Sequence, residues 1–208
     1  MIYKLCSILI GYFFGCFLTA DIVAKKLTGN SSSKIGSTGN PGMANIMANL
    51  GFVPGIIVLA GDVGKSLLSI LLSWLLFSPV LGKLSMLYAG LGSVLGHNFP
   101  FWRKFNGGKG VSCTCISVFL ISPLIGFFAN IAGMLVVFAT KYLCLGAVVI
   151  PAFFTIFEWI FEGTEYGLIG LVLTIIMFIR HFPALKTIPS GQCEKVDVLD
   201  AILKHIRK

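Results

Sequence analysis

Charge is scarce in this sequence. Asp, Glu, Lys and Arg make up 12% of its 208 residues, about half the share that a soluble domain carries. With 56% of the chain hydrophobic, there is too little polar surface to coat a globule in water, which excludes a soluble domain. Strict alternation of apolar and polar residues is missing too, and that argues against a closed β-barrel. The apolar runs are continuous instead. Several meet or approach the roughly 20 residues that a helix needs to cross a hydrocarbon core about 30 Å thick. The expected fold is all-α, a polytopic membrane protein.

Metal-binding patterns are also lacking. Cys113-x-Cys115 is not a CxxC pair, and no second cluster of Cys or His completes a zinc site. Cys6, Cys16 and Cys144 lie in apolar runs, where cysteine packs as a small hydrophobe. Neither a metal nor an organic cofactor is expected. The first residues begin like a signal peptide, with Lys4 ahead of an apolar run. That run (5–24) is broken only by Asp21, exceeds an ordinary signal core and shows no small-residue cleavage site before the polar loop. It reads as a retained span. Only eight acidic residues balance sixteen basic ones, for a net charge of +8. In so apolar a chain this points to a membrane surface and anionic substrates, not to nucleic acid.

Breakers between the runs give about seven spans, near 3–24, 51–77, 80–97, 111–121, 124–139, 142–159 and 164–179. The fourth is short enough to be re-entrant and ends at Ser122-Pro123, where proline forces a turn or kink. With this count, thirteen of the sixteen basic residues fall on one side. The positive-inside bias then puts the N-terminus outside and the C-terminus and glycine-rich loops in the cytoplasm. Glu158, Glu162 and Glu165 gather near the outer face. Residues 1–208 read as a single integral membrane domain. Within 192–208, Val196, Leu199, Leu203 and Ile206 repeat at helical spacing beside Lys204, Arg207 and Lys208. This is either an amphipathic tail on the inner leaflet or a solvated end.

Three polar segments carry the candidate chemistry. The first, 29–49, holds Lys34, Thr38, Asn40, Gly42 and Asn45. Its small residues let backbone N–H groups approach an anion, and it opens a helix whose N-terminus favours negative charge. Such a loop is equally a flexible connector. The second holds His97 and then Gly107-Gly108-Lys109-Gly110 ahead of an apolar helix. Its glycines free the backbone to wrap an anion, Lys109 supplies a point charge for phosphate, and His97 binds phosphate or moves protons. The third is Arg180 and His181 at the end of the last span. Asp62 and Lys65 stand three apart inside a span, where they are expected to pair and lock helices together. Gly64-Lys65-Ser66 is not a nucleotide loop, because Leu59 stands where GxxxxGK(S/T) requires glycine.

Residues 96–111 match G-H-x-x-P-x-x-x-x-F-x-G-G-K-G-V at every defined position. In this the chain resembles the bacterial membrane glycerol-3-phosphate acyltransferases that use acyl phosphate, the PlsY family. Two further motifs of that family are eroded. Against R-x-x-G-S-G-N-x-G-A-T-N-x-x-R, the chain has Lys34, Ser37 and Thr38, keeps Gly39, Asn40, Gly42 and Asn45, and ends on Ala48. Against R-H-x-x-N-I-x-R it keeps Arg180 and His181 but has Ala184 and Thr187.

The resemblance implies acyl transfer from acyl phosphate to the 1-hydroxyl of glycerol 3-phosphate in a bacterial plasma membrane. It implies that Gly107, Gly108, Lys109 and Gly110 hold the acceptor phosphate, and that Lys34, Asn40, Gly42, His97 and Arg180 contact substrate. Thr38, Asn45 and His181 would be catalytic, His181 orienting the acceptor or assisting proton transfer. Membrane lipid is a partner; no protein partner is inferred. The eroded positions leave a second reading open, a catalytically weakened paralogue that binds an anionic lipid or phosphate metabolite or uses another acceptor. A small-anion transporter is least favoured, since the glycine-loop segments have no internal repeat.

Overall fold

Nine α-helices follow one another in the described residues, 1–196, of the computed structural model, and no strand occurs among them. Residues 197–208, the greater part of the segment read as either an amphipathic tail or a solvated end, lie outside the described residues. The seven apolar runs all become helices. Five segments are long and apolar enough to cross a membrane: Ile2–Thr28, Phe52–Leu81, Pro123–Thr140, Leu143–Phe161 and Thr164–Leu185. Two helices, Leu84–Asn98 and Val111–Ile121, are shorter. At 1.5 Å per residue the latter is roughly 16 Å long, about half a hydrocarbon core.

The first body, Met1–Ile121, contains α1 (Ile2–Gly15), α2 (Thr19–Thr28), α3 (Met43–Leu50), α4 (Phe52–Leu81), α5 (Leu84–Asn98) and α6 (Val111–Ile121). Two departures from the sequence reading stand out. The first span is two helices, α1 and α2. The second span, read as 51–77, runs on to Leu81, and Gly51 separates it from α3. The Gly51 φ of 104° is a conformation that glycine alone adopts cheaply.

Small residues decide how α1 packs on α5. A Cβ at Gly11 would lie 2.0 Å from the Ala89 carbonyl oxygen, and one at Gly15 would lie 2.2 Å from that of Ser93. From the other side, Cβ atoms at Gly92 and Gly96 would meet the carbonyl oxygens of Ile8 and Tyr12 at 2.2 and 2.1 Å. Each helix thus presents a GxxxG face to the other, which lets backbones touch where lipid supplies no hydrophobic drive. Along α4, Ser66, Ser69 and Ser73 are buried, and Ser66 Oγ reaches Ser93 Oγ of α5 at 2.8 Å. The opposite face of α4 exposes Leu67, Leu68, Leu71 and Leu75.

The second body begins at Ser122 and contains α7 (Pro123–Thr140), α8 (Leu143–Phe161) and α9 (Thr164–Leu185). Proline at the start of α7 gives up an N–H that would have had no partner. Gly133 and Gly146 bring α7 and α8 together, since a Cβ on either would lie within 3 Å of the other's carbonyl oxygen. Thr155 and Thr174 hydroxyls, 3.0 Å apart, join α8 to α9. Glu158 is fully buried and accepts a hydrogen bond from Ser122.

Candidate active site

The break in the first span builds the centre of the site. Between α1 and α2, Leu18 is extended (φ −106°, ψ 96°). A helix that stops within an apolar layer strands carbonyl oxygens that water cannot reach. Two distant side chains take them. Trp102 Nε1 donates to the Cys16 oxygen at 2.8 Å, and Lys65 Nζ donates to the Phe17 oxygen at 2.7 Å. Tyr12 adds a bond from its hydroxyl to the Phe99 oxygen, also at 2.8 Å.

Lys65 has two further partners, Asp62 Oδ1 and His97 Nδ1, each at 2.8 Å. Three contacts match the three N–H bonds of an ammonium. All three side chains are at most 5% exposed. The pairing read from the sequence is present, and it is wider than a pair: it holds α4 to α5 and to the break in the first span. A neutral His97 that accepts from Lys65 at Nδ1 carries its proton on Nε2. Cys113 completes a trio with Asp62 and His97 whose ligand atoms lie within 4.8 Å of one another. The donor types suit a metal ion, but the Lys65 ammonium already supplies the positive charge between carboxylate and imidazole.

The glycine loop folds back over this centre. The N–H groups of Gly107 and Gly108 donate to the carbonyl oxygens of Asn98 and His97 at 3.0 and 2.9 Å. A Cβ on Gly108 would sit 2.0 Å from His97 Nε2, and one on Gly110 would sit 2.5 Å from Asn98 Oδ1. The glycines therefore make room for His97 and Asn98, a reason for their presence that the sequence reading did not supply. Gly110 also has φ +78°, after which α6 begins at Val111. Lys109 is half-buried, and its side chain has no ion pair or hydrogen bond among the described residues.

In the first loop, Asn45 acts as the fastener. Its buried amide donates to the carbonyl oxygens of Ile35 and Asn40 at 2.9 and 3.0 Å, and its Oδ1 accepts from Thr38 Oγ1 at 3.2 Å. Asn49 donates to the same Oδ1 at 3.1 Å. Gly42 caps α3, with its N–H on the Asn40 oxygen at 2.9 Å. Thr38, Asn40, Gly42 and Asn45 are thus one unit, with Thr38 and Lys34 exposed.

Sequence reasoning missed the link between the two loops. Asp21 accepts from Ser31 Oγ and from the Ser32 N–H, both at 3.0 Å, and from the Ser32 hydroxyl. Its other oxygen lies 3.2 Å from Arg103 Nη1. One carboxylate in the first span therefore joins the first loop to the segment leading into the second. A lone acidic residue in a run otherwise apolar was the available signal.

The third segment lies in the second body. Arg180 is half-exposed and His181 is buried. His181 Nδ1 lies 2.9 Å from the Met177 oxygen. A carbonyl only accepts, so Nδ1 carries the proton and a neutral ring has its basic lone pair on Nε2.

Helical runs around a buried polar centre, with two tethered loops at its edge, define a polytopic integral membrane protein with a polar site. The chain belongs to the glycerol-3-phosphate acyltransferase family, whose sequence model matches residues 5–191. It is 38% identical over 200 residues to glycerol-3-phosphate acyltransferase 1 of Lactobacillus johnsonii, covering 96% of both chains. Identity is 32% over 203 residues to the enzyme of that name from Lactobacillus acidophilus, covering 98% of this chain and 97% of that one. Among solved structures, its fold is similar to PlsY, an integral membrane glycerol 3-phosphate acyltransferase, in its glycerol 3-phosphate form. The TM-score is 0.82 at 24% identity, over 96% of this chain and 98% of that one.

Proposed function

We propose that this chain moves a fatty acyl group from acyl phosphate to the 1-hydroxyl of glycerol 3-phosphate, giving lysophosphatidic acid and phosphate. The hydroxyl oxygen bonds to the acyl carbon, the acyl carbon–oxygen bond to phosphate breaks, and the hydroxyl proton passes to a base. Acyl phosphate is already activated, so the protein's work is positioning, charge neutralisation and proton removal.

The observation that carries this reading is Lys109. Its ammonium has no partner among the described residues, and it stands on a loop fixed at both ends of the Gly107-Gly108 turn. Lys109 holds the acceptor phosphate, while Gly107 and Gly108, whose N–H groups donate to Asn98 and His97, and Gly110 shape the loop that presents it. Lys34, Thr38 and Asn40 face the reacting groups, while Gly42 and Asn45 keep their loop in shape. His97 positions the glycine loop from beneath. Arg180 meets anionic substrate, and His181 Nε2 takes the acceptor proton. The names of the Lactobacillus relatives and the glycerol 3-phosphate form of PlsY support the choice of acceptor.

The membrane is the bacterial plasma membrane, with the N-terminus outside and the glycine-rich loops and C-terminus cytoplasmic, as the charge asymmetry favours. The acyl chain then arrives from the bilayer and the phosphates from the cytoplasm. The reading needs no protein partner, nucleic acid or cofactor. It is tested by offering the purified protein palmitoyl phosphate or palmitoyl-coenzyme A with radiolabelled glycerol 3-phosphate. Labelled lysophosphatidate from the first donor alone supports it; product from the thioester alone contradicts the donor.

One observation favours the second reading, a weakened paralogue. Thr187, at a position where the family motif has arginine, turns its hydroxyl onto the Ala184 oxygen at 2.7 Å. The Thr187 side chain is thus spent on the end of α9. If that reading holds, Ala184→Asn with Ala48→Arg raises turnover; no gain counts against it.

A further inference from the structure

We propose that Cys144 and Cys193 are a redox pair, forming an intramolecular disulfide under mild two-electron oxidation. Cys144 lies in the first turn of α8, and Cys193 follows α9 in the segment that ends the described residues. Their sulfurs are 3.9 Å apart, so a side-chain movement of about 2 Å brings them to bonding distance. The same segment is held there by other contacts. The Val196 N–H donates to the Lys141 oxygen at 2.8 Å, and Lys195 Nζ lies 5.6 Å from the centre of the Tyr142 ring. The meeting of the thiols is therefore built into the packing of the second body.

Their exposures differ in a useful way. Cys193 is partly exposed, whereas Cys144 is 5% exposed. A peroxide reaches Cys193 first. The thiolate attacks one peroxide oxygen, the O–O bond breaks, and a sulfenic acid and hydroxide form. Cys144 then attacks the Cys193 sulfur and expels hydroxide. Over both steps two thiols and one hydrogen peroxide become one disulfide and two waters. The bond closes a loop of 49 residues' separation around α8 and α9 and clamps the segment after Arg180 and His181 to the start of α8. Cys113, by contrast, is fully buried beside Asp62.

The test uses the full-length protein in detergent, treated with hydrogen peroxide, unfolded in SDS and alkylated with a maleimide. The chain has six cysteines. The expected result is a fall from six labelled thiols to four, a Cys144–Cys193 crosslinked peptide by mass spectrometry, and recovery of six after dithiothreitol. Cys193→Ser should remain at five with no crosslink. Six labelled thiols after peroxide has begun to oxidise the chain's methionines would overturn the proposal. So would a crosslink between other cysteines, or Cys193 passing to sulfinic acid with Cys144 still free. The thiol count is independent of the acyl-transfer reading, so either can fail without the other.

Discussion

Lys65 Nζ lies 2.7 Å from the carbonyl oxygen of Phe17, an acceptor that is available because Phe17 lies in the break between α1 and α2. The charge and the break explain each other. An ammonium buried among apolar helices needs acceptors, and an interrupted helix needs donors. Removing either leaves the other stranded.

Lys65→Met therefore does more than lose an ion pair. It leaves the Asp62 carboxylate, 2% exposed, without the ammonium 2.8 Å away, and unpairing a buried ion costs about 3–5 kcal/mol. Thermal unfolding in detergent should show a large drop in Tm. Adding Asp62→Asn to Lys65→Met should recover part of it. A single variant as stable as the parent would mean that the centre is not structural.

The α1–α5 contact makes a paired prediction. Gly96→Ala puts a methyl group 2.1 Å from the Tyr12 oxygen, whereas a Cβ at Gly64 meets nothing within 4 Å. Forcing two backbones apart falls in the range of core overpacking, about 1–3 kcal/mol. Gly64→Ala should be neutral or slightly stabilising, since alanine suits a helix better than glycine by about 1 kcal/mol. Comparing the two melting curves checks the helix contact.

Gly108→Ala tests the support of the glycine loop. Its Cβ would displace the His97 ring, 2.0 Å from Nε2, and with it the loop that carries Lys109. Turnover is expected to fall at least tenfold, equivalent to about 1.4 kcal/mol of barrier, with little change in helix content by circular dichroism. Unchanged kcat and KM would separate the loop from the reaction.

Asp21 is predicted to couple the two loops. Asp21→Asn weakens the contact with Arg103 and the bonds to Ser31 and Ser32, and should raise the KM for glycerol 3-phosphate. In a double-mutant cycle with Arg103→Gln, contacting residues of this kind couple by about 0.5–3 kcal/mol. A coupling near zero would mean that each loop stands alone.

The sequence was legible where physics is local. Continuous apolar runs gave the helices and their order, the Ser122-Pro123 break fell where α6 gives way to α7, and Asp62 and Lys65 paired as their spacing requires. The break at Cys16-Phe17-Leu18 was not legible, because these residues are as apolar as their neighbours. It is held by Lys65 and Trp102, which come from far along the chain. The GxxxG spacings of Gly11 with Gly15 and Gly92 with Gly96 stood in the sequence, but which helices they join is a tertiary fact. In sequence the glycines near Lys109 read as a phosphate cradle, and their clearance of His97 and Asn98 is a tertiary fact.

The most direct test of the central claim is acyl transfer by the purified protein and by its Lys109→Ala variant. The substrates are palmitoyl phosphate and radiolabelled glycerol 3-phosphate, with an active family member assayed alongside. The account predicts labelled lysophosphatidate from the parent and its loss in the variant, with glycerol 3-phosphate binding weakened. Lys109→Ala protein that binds glycerol 3-phosphate and turns over like the parent would contradict it, as would a well-folded parent that makes no product.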